Sequence, residues 1–251
     1  MIKLSVVLIS YNEERNIGRC LDSVQNIADE ILVVDSYSTD KTVEICEAKG
    51  ARVVPHVFEN FIKQRNFADS QAQNPYVLIL DADEVISLEL AVSIQKIKEN
   101  WQYDVYEFNR LNNYCGQWIK HSGWYPEWRP RLFDKRQAHW EGQLVHERLA
   151  KNAGVTTGRA SGNLLHYSYN SIAEHIQKTN RYTDLTAQEA FEKGKKSSLF
   201  KIWFNPKWRF IRDYVINGGF KDGFMGYTIC KISAWGTFLK YSKLQNMHHK
   251  R

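Results

Sequence analysis

The segment from Val77 to Ser87 reads VLILDADEVIS, in which four apolar residues run into Asp81 and Asp83, with Glu84 adjacent. Carboxylates crowded at the end of a buried run repel one another unless a cation or a reaction uses them. Hard oxygen ligands suit Mg²⁺ or Mn²⁺, which keeps waters and takes substrate phosphates as further ligands. Asp81-x-Asp83 therefore reads as a metal and diphosphate site, or else as a solvated acidic turn. Glu84 is expected to face the start of the next helix, where the dipole favours an acid. Asp35, in VVDSYSTDKT, sits where a carboxylate can accept from a ribose hydroxyl or a base N–H, as in dinucleotide folds. Tyr11 and Glu13, in SYNEE, offer a ring able to stack on a base and a further acid; ordinary packing is the plainer reading of Tyr11.

Elements that could hold these groups alternate along the first hundred residues. KLSVVLIS, EILVVDS, ARVVPHV and YVLIL read as strands, with Pro55 marking an edge or irregular end of the third. Between them fall helical signals: Ile17, Leu21 and Val24 on one face behind Asn12 as cap, a helix opened by Asp40 and closed at Gly50, and one near residues 62–72. Ser87 is expected to cap a further helix to about Asn100. Continuous apolar strands alternating with helices predict a parallel sheet covered on both faces. The clusters at Tyr11, Asp35 and Asp81 each follow a strand, so they should converge at the C-terminal sheet edge, where open α/β sheets bind ligands. From about Tyr103 shorter aromatic-rich segments suggest mixed strands, and from Ser171 helices return.

Charge divides the 251-residue chain. From Lys195 onward twelve Lys and Arg face two Asp, a balance of +10, while the preceding residues carry 22 basic and 26 acidic side chains, a balance of −4. This basic tail interleaves Phe200, Trp203, Phe204, Trp208, Phe210, Tyr214, Phe220 and Phe224 with cations. Such a mixture suits an anionic membrane surface, or a packed helical subdomain with a solvated basic face. No run reaches the length of a spanning helix, and KLSVVLIS is too short for a secretory signal, so a cytoplasmic protein peripheral to the inner face of the membrane is expected. Cys20, Cys46, Cys115 and Cys230 are scattered, as reduced thiols would be.

SVVLISYNEERNIGRCLDSV, EILVVDSYSTDKTVEI, QRNFA and VLILDADE, in that order and spacing, resemble the nucleotide-binding half of glycosyltransferase family 2. WYPEWRPRLFDKRQAHWEGQLVHERL and the basic aromatic tail resemble a narrower group, the bacterial lipopolysaccharide-core β-1,4-glucosyltransferases. The resemblance implies a GT-A fold, a UDP-sugar donor, a divalent cation and inversion at the anomeric carbon. It implies a GT-A domain over residues 1–170, with a nucleotide-binding half (1–100) and an acceptor half (101–170), followed by a helical extension over 171–251. By position, Tyr11, Glu13 and Asp35 would hold the uridine, Arg65 would lie near base or diphosphate, and Asp81 and Asp83 would meet ribose and metal, both as metal ligands with Asp83 favoured as the direct one. The acceptor would be a lipopolysaccharide-core or other lipid-linked glycan. The family's proline before the first-strand tyrosine is replaced by Ile9-Ser10, and its Glu-Asp pair and QxxRW signature are absent.

Inverting transfer needs a general base for the acceptor hydroxyl. Glu147 in VHERL matches the narrower group's acid, with Glu141 the alternative. His146 could be a third metal ligand or a structural hydrogen-bonder. Arg129 and Arg131 could pair with a diphosphate, since guanidinium forks fit phosphate, or be charges on a strand surface. Rival readings fit less well. LDADEV also suits a phosphatase nucleophile, but it follows the fourth strand and no later Asp-Asp pair completes that site. A sugar nucleotidyltransferase would need a glycine-rich loop after the first strand, where SYNEERN stands. A nucleic-acid binder built on the tail conflicts with the acidic crevice.

Overall fold

A computed structural model describes residues 1–143 and 146–249; the side chains of Gln143, His146 and Glu147 also lie outside the described residues. The chain forms two compact units, residues 1–110 with 127–166 and residues 111–126 with 167–251. Residues 111–126, which the sequence alone assigns to the acceptor half, thus belong with the C-terminal helices. Their aromatic rings explain it: Tyr114 packs edge-on against Trp124, Tyr169 and His175, and Trp124 edge-on against His175.

The first unit begins with β1 (Leu4–Ser10), α1 (Ile17–Val24), β2 (Glu30–Asp35), α2 (Thr42–Ala48), β3 (Arg52–Pro55), α3 (Phe61–Gln71) and β4 (Tyr76–Asp81). There follow β5 (Glu84–Ile86), α4 (Leu88–Glu99), β6 (Val105–Tyr114), whose end belongs to the second unit together with β7 (Gln117–Ile119), and then β8 (Trp128–Asp134). A hairpin of β9 (Ala138–Gln143) and β10 (His146–Lys151) precedes β11 (Thr157–Tyr169). The main sheet runs β3-β2-β1-β4-β8-β6-β11-β5, with β7 paired to the end of β6. Pairing is parallel from β3 to β4, and β8 joins β4 antiparallel. β3 forms one edge of the sheet, a position that suits Pro55.

Side-chain alternation along β1 builds the core on both faces. Leu4, Val6 and Leu8 join Leu21 and Val24 of α1 and Leu90 and Ile94 of α4. Val7 instead joins Ala68 of α3 and Leu32 and Val34 of β2. Ser87 caps α4 by accepting from the Leu90 N–H at 3.2 Å. The expected cap of α1 is corrected. Asn12 adopts a left-handed conformation (φ 54°) and its Oδ1 accepts from the Thr39 N–H at 2.8 Å, while the Glu13 carbonyl accepts the Asn16 and Ile17 N–H groups that open the helix.

The second unit carries α5 (Ile172–Glu192), α6 (Leu199–Ile211), a π turn over Arg212–Ile216, a short 3₁₀ turn over Gly219–Asp222 and α7 (Gly223–His249). Ser171 and Ser198 cap α5 and α6. Ala187 and Ala190 of α5 pack on Leu244 of α7. Among the described residues no helix is long and apolar enough to cross a membrane.

Candidate active site

Parallel register brings the polar strand ends together. Ser10 of β1 lies beside Asp35 of β2, and Ile9 beside Asp81 of β4. The convergence read from sequence therefore follows from three in-register strands. Asp35 is buried and its carboxylate is met from within the fold. Ser10 Oγ donates to it at 2.9 Å, Ser38 N at 2.7 Å and Ser38 Oγ at 2.6 Å. Asp35 thus shapes the loop after β2. In that loop Tyr37 holds a left-handed backbone (φ 60°), a conformation bulky residues adopt at a cost. Asn12 ties the loop after β1 to it, and Tyr11 and Tyr37 both stand exposed. Glu13 accepts from Asn16 Nδ2 at 2.8 Å, at the start of α1.

At the end of β4, arginines take up part of the charge that sequence reasoning gave to a cation. Arg65 of α3 donates to Asp81 Oδ1 at 2.7 Å, and Arg131 of β8 donates to Asp81 Oδ2 at 2.8 Å and to Glu84 at 2.6 Å. Burial alone would raise the Asp81 carboxyl, but Arg65 and Arg131 outweigh it and hold the group well below the usual carboxylate range. Both oxygens of Asp81, which sequence reasoning offered to a metal, are engaged by guanidiniums. Glu84 is corrected too. It is wholly buried and accepts the Asp81 N–H at 3.1 Å, so it faces back into this cluster and away from α4. Burial pushes the Glu84 carboxyl up against the pull of Arg131, and the Asp81 charge adds to the rise. Arg131 is buried, so it is not a strand-surface charge. Arg129 is more exposed and pairs with Glu127 at 2.6 Å. Burial would raise the Glu127 carboxyl, but Arg110 and Arg129 outweigh it and bring it down to about 2.

Every member of the Gln64-Arg65-Asn66 run on α3 has an internal partner. Gln64 Nε2 donates to Ser36 Oγ at 3.1 Å, in the loop after β2. Arg65 also lies over the Trp140 ring, 4.9 Å from its centroid. Asn66 pairs with the Trp140 main chain through both amide atoms, at 2.8 and 2.9 Å, as a neighbouring strand would. The run therefore couples the strand ends to the β9–β10 hairpin.

Asp83 has a different neighbour. Its Oδ2 lies 3.3 Å from His166 Nε2 on β11, which the antiparallel register sets opposite Glu84. Sequence reasoning missed His166, since a lone histidine in NLLHYSY has no spacing partner and the pairing of β11 with β5 spans the domain. Two ligands at right angles about 2.1 Å from one small divalent ion stand about 3 Å apart, so this oxygen–nitrogen pair fits a shared cation. Among the described residues no group of three His, Cys, Asp or Glu could hold a metal ion. Two protein ligands leave positions for phosphate oxygens and water, the usual Mg²⁺ arrangement.

Of the two candidate bases, Glu141 is half exposed on β9 and accepts from Arg148 at 2.7 and 3.0 Å. The Glu147 main chain pairs with Gly142, and its side chain, like that of His146, lies outside the described residues.

A family model described as "Glycosyl transferase family 2" matches residues 5–157, more than half of the chain. The chain belongs to glycosyltransferase family 2. An uncharacterized glycosyltransferase of Rickettsia prowazekii is 33% identical to this enzyme over 100% of this chain and 89% of its own. The lipopolysaccharide core biosynthesis glycosyltransferase LpsC of Rhizobium meliloti is 28% identical over 98% and 93%. Among solved structures, glucosyl-3-phosphoglycerate synthase from Mycobacterium tuberculosis aligns over 46% of this chain and 45% of its own at 24% identity, with a TM-score of 0.37. The glycosyltransferase has the GT-A architecture expected of its family, and His166 lies beyond the matched segment.

Proposed function

We propose that this glycosyltransferase moves a hexosyl group from a UDP-sugar, with inversion and with Mg²⁺ or Mn²⁺, onto a lipopolysaccharide-core or related envelope glycan at the cytoplasmic face of the membrane. The observation that carries the donor half is the Asp83–His166 pair, 3.3 Å apart just past the end of β4. Likeness to LpsC, named for lipopolysaccharide core biosynthesis, supports the acceptor class.

In this reading Asp83 and His166 hold the cation, and Tyr11 offers its exposed ring to the uracil. Asp35 and Asp81 keep the floor of the donor site in place through Ser10, Ser38, Arg65 and Arg131. When bound, the cation neutralises charge gathering on the diphosphate. The acceptor hydroxyl oxygen forms the new bond to the anomeric carbon as the bond to the diphosphate oxygen breaks, and the electron pair leaves with UDP. The hydroxyl proton passes to a carboxylate, for which Glu147 is the candidate and Glu141, held by Arg148, the alternative. Base catalysis of this kind is worth about 10²–10⁴-fold. The test incubates the enzyme with a panel of UDP-sugars, Mn²⁺ or Mg²⁺ and envelope glycan extract and follows UDP release. Turnover with one donor, abolished by EDTA and reduced about a hundredfold or more in Glu147→Gln, is expected. Absence of turnover across the panel would overturn the reading.

A further inference from the structure

The helical unit turns its apolar residues outward. At 3.6 residues per turn, Leu199, Phe200, Trp203, Phe204, Trp208 and Ile211 fall in one half of α6. An ordinary surface helix would bury that half. Here α6 buries no residue at all, and Leu199, Phe200 and Trp203 are 79, 70 and 72% exposed. The pattern continues along α7, where Phe224, Tyr227, Trp235 and Phe238 recur at helical spacing with Lys231 among them, all exposed. Between α6 and α7 runs an apolar groove of about 580 Å³ with Trp203, Phe210, Trp235 and Phe238 on its walls.

Charge on this face has one sign. Asp213 and Asp222 are the only acids from Leu199 onward, and both are buried. Asp213 accepts from Arg209 and Arg212. Asp222 accepts from the Lys120 and His121 main chain and faces His121 Nδ1 at 2.9 Å. Lys201, Lys207, Lys221 and Lys231 are all exposed. Two of them sit on aromatic rings: Lys207 Nζ is 3.5 Å from the centroid of exposed Trp203 and Lys231 Nζ 4.8 Å from that of half-buried Phe210. Amphipathic aromatic rings with lysines beside them are what the headgroup boundary of a bilayer accommodates, the rings among acyl carbons and the ammonium groups at lipid phosphates.

We infer that the exposed half of α6 and the Phe224–Phe238 stripe of α7 form a docking face for an anionic lipid bilayer, with α6 lying in the plane of the interface. The inference is independent of the transfer reaction, since vesicle binding and UDP release report on them separately. The full chain should co-sediment with vesicles of phosphatidylcholine containing phosphatidylglycerol, and weakly with phosphatidylcholine alone. Replacing Phe200, Trp203 and Phe204 together by Ser should lower the partition coefficient more than about tenfold. Lys207→Glu with Lys231→Glu should abolish the preference for anionic vesicles. Because these side chains are solvent-exposed, thermal unfolding of both variants should match the parent, which separates lost docking from lost folding. Equal binding by parent and aromatic variant, or no binding by the parent, would overturn the inference. So would a solution dimer that the Ser substitutions dissociate, which would assign the face to a second copy of the chain.

Discussion

Asp69 of α3 shows what burial does to a carboxyl in this fold. It sits beneath Trp140, whose indole N–H donates to Oδ2 at 3.1 Å, while Oδ1 is buried without a hydrogen-bond partner among the described residues. Burial raises the group to about 7, against the pull of Arg65 and the Trp140 bond. In the unfolded chain an aspartate titrates near about 3.9. Between those values the native state binds a proton that the unfolded chain has lost, so this group's contribution makes stability fall as pH rises through the window. Asp69→Asn removes the titration. Urea unfolding from pH 4.5 to 7.5 should give a flatter stability profile for the variant, and parallel profiles would contradict the assignment. The Asp81-x-Asp83 acids are visible at this scale because a strand and a DxD spacing are local signals. The Arg131–Glu84 pair and His166 are not, since their partners are fixed by the pairing of β8, β11 and β5, and nothing near them in sequence announces that pairing.

At the scale of elements, the β9–β10 hairpin carries both candidate bases yet pairs with no other strand among the described residues. A lone two-stranded ribbon is marginal in water. Asn66 lends it a substitute edge by bonding the Trp140 main chain twice, and Trp140 anchors it in the core. Asn66→Ala should therefore slow transfer roughly tenfold or more while leaving the donor KM within about twofold, because a loosened base misplaces the proton acceptor and does not touch the donor. A normal kcat would show that the hairpin holds its position without Asn66. The strand and helix alternation of β1 to α4 was readable because buried parallel strands leave continuous apolar runs. The antiparallel half was readable only as mixed strands, since its register rests on long-range pairing and on a bulge at Tyr106–Glu107.

For the molecule as a whole, the family match lies within residues 5–157, and the exposed cations and aromatic rings concentrate in the helices beyond it. Composition already separated a mildly acidic part from a basic one. It could not reveal that the two acids of the tail are buried, which leaves a surface of one sign. In the first unit, Asp83 and His166 are proposed to share one divalent ion that arrives with the donor. Calorimetric titration of UDP into the full-length enzyme, with and without Mn²⁺, tests it most directly. Mn²⁺ should strengthen UDP binding in the parent, and Asp83→Ala and His166→Ala should each remove most of that gain, about tenfold or more in Kd, while leaving the metal-free affinity unchanged. Full metal-dependent binding in both variants would contradict the assignment.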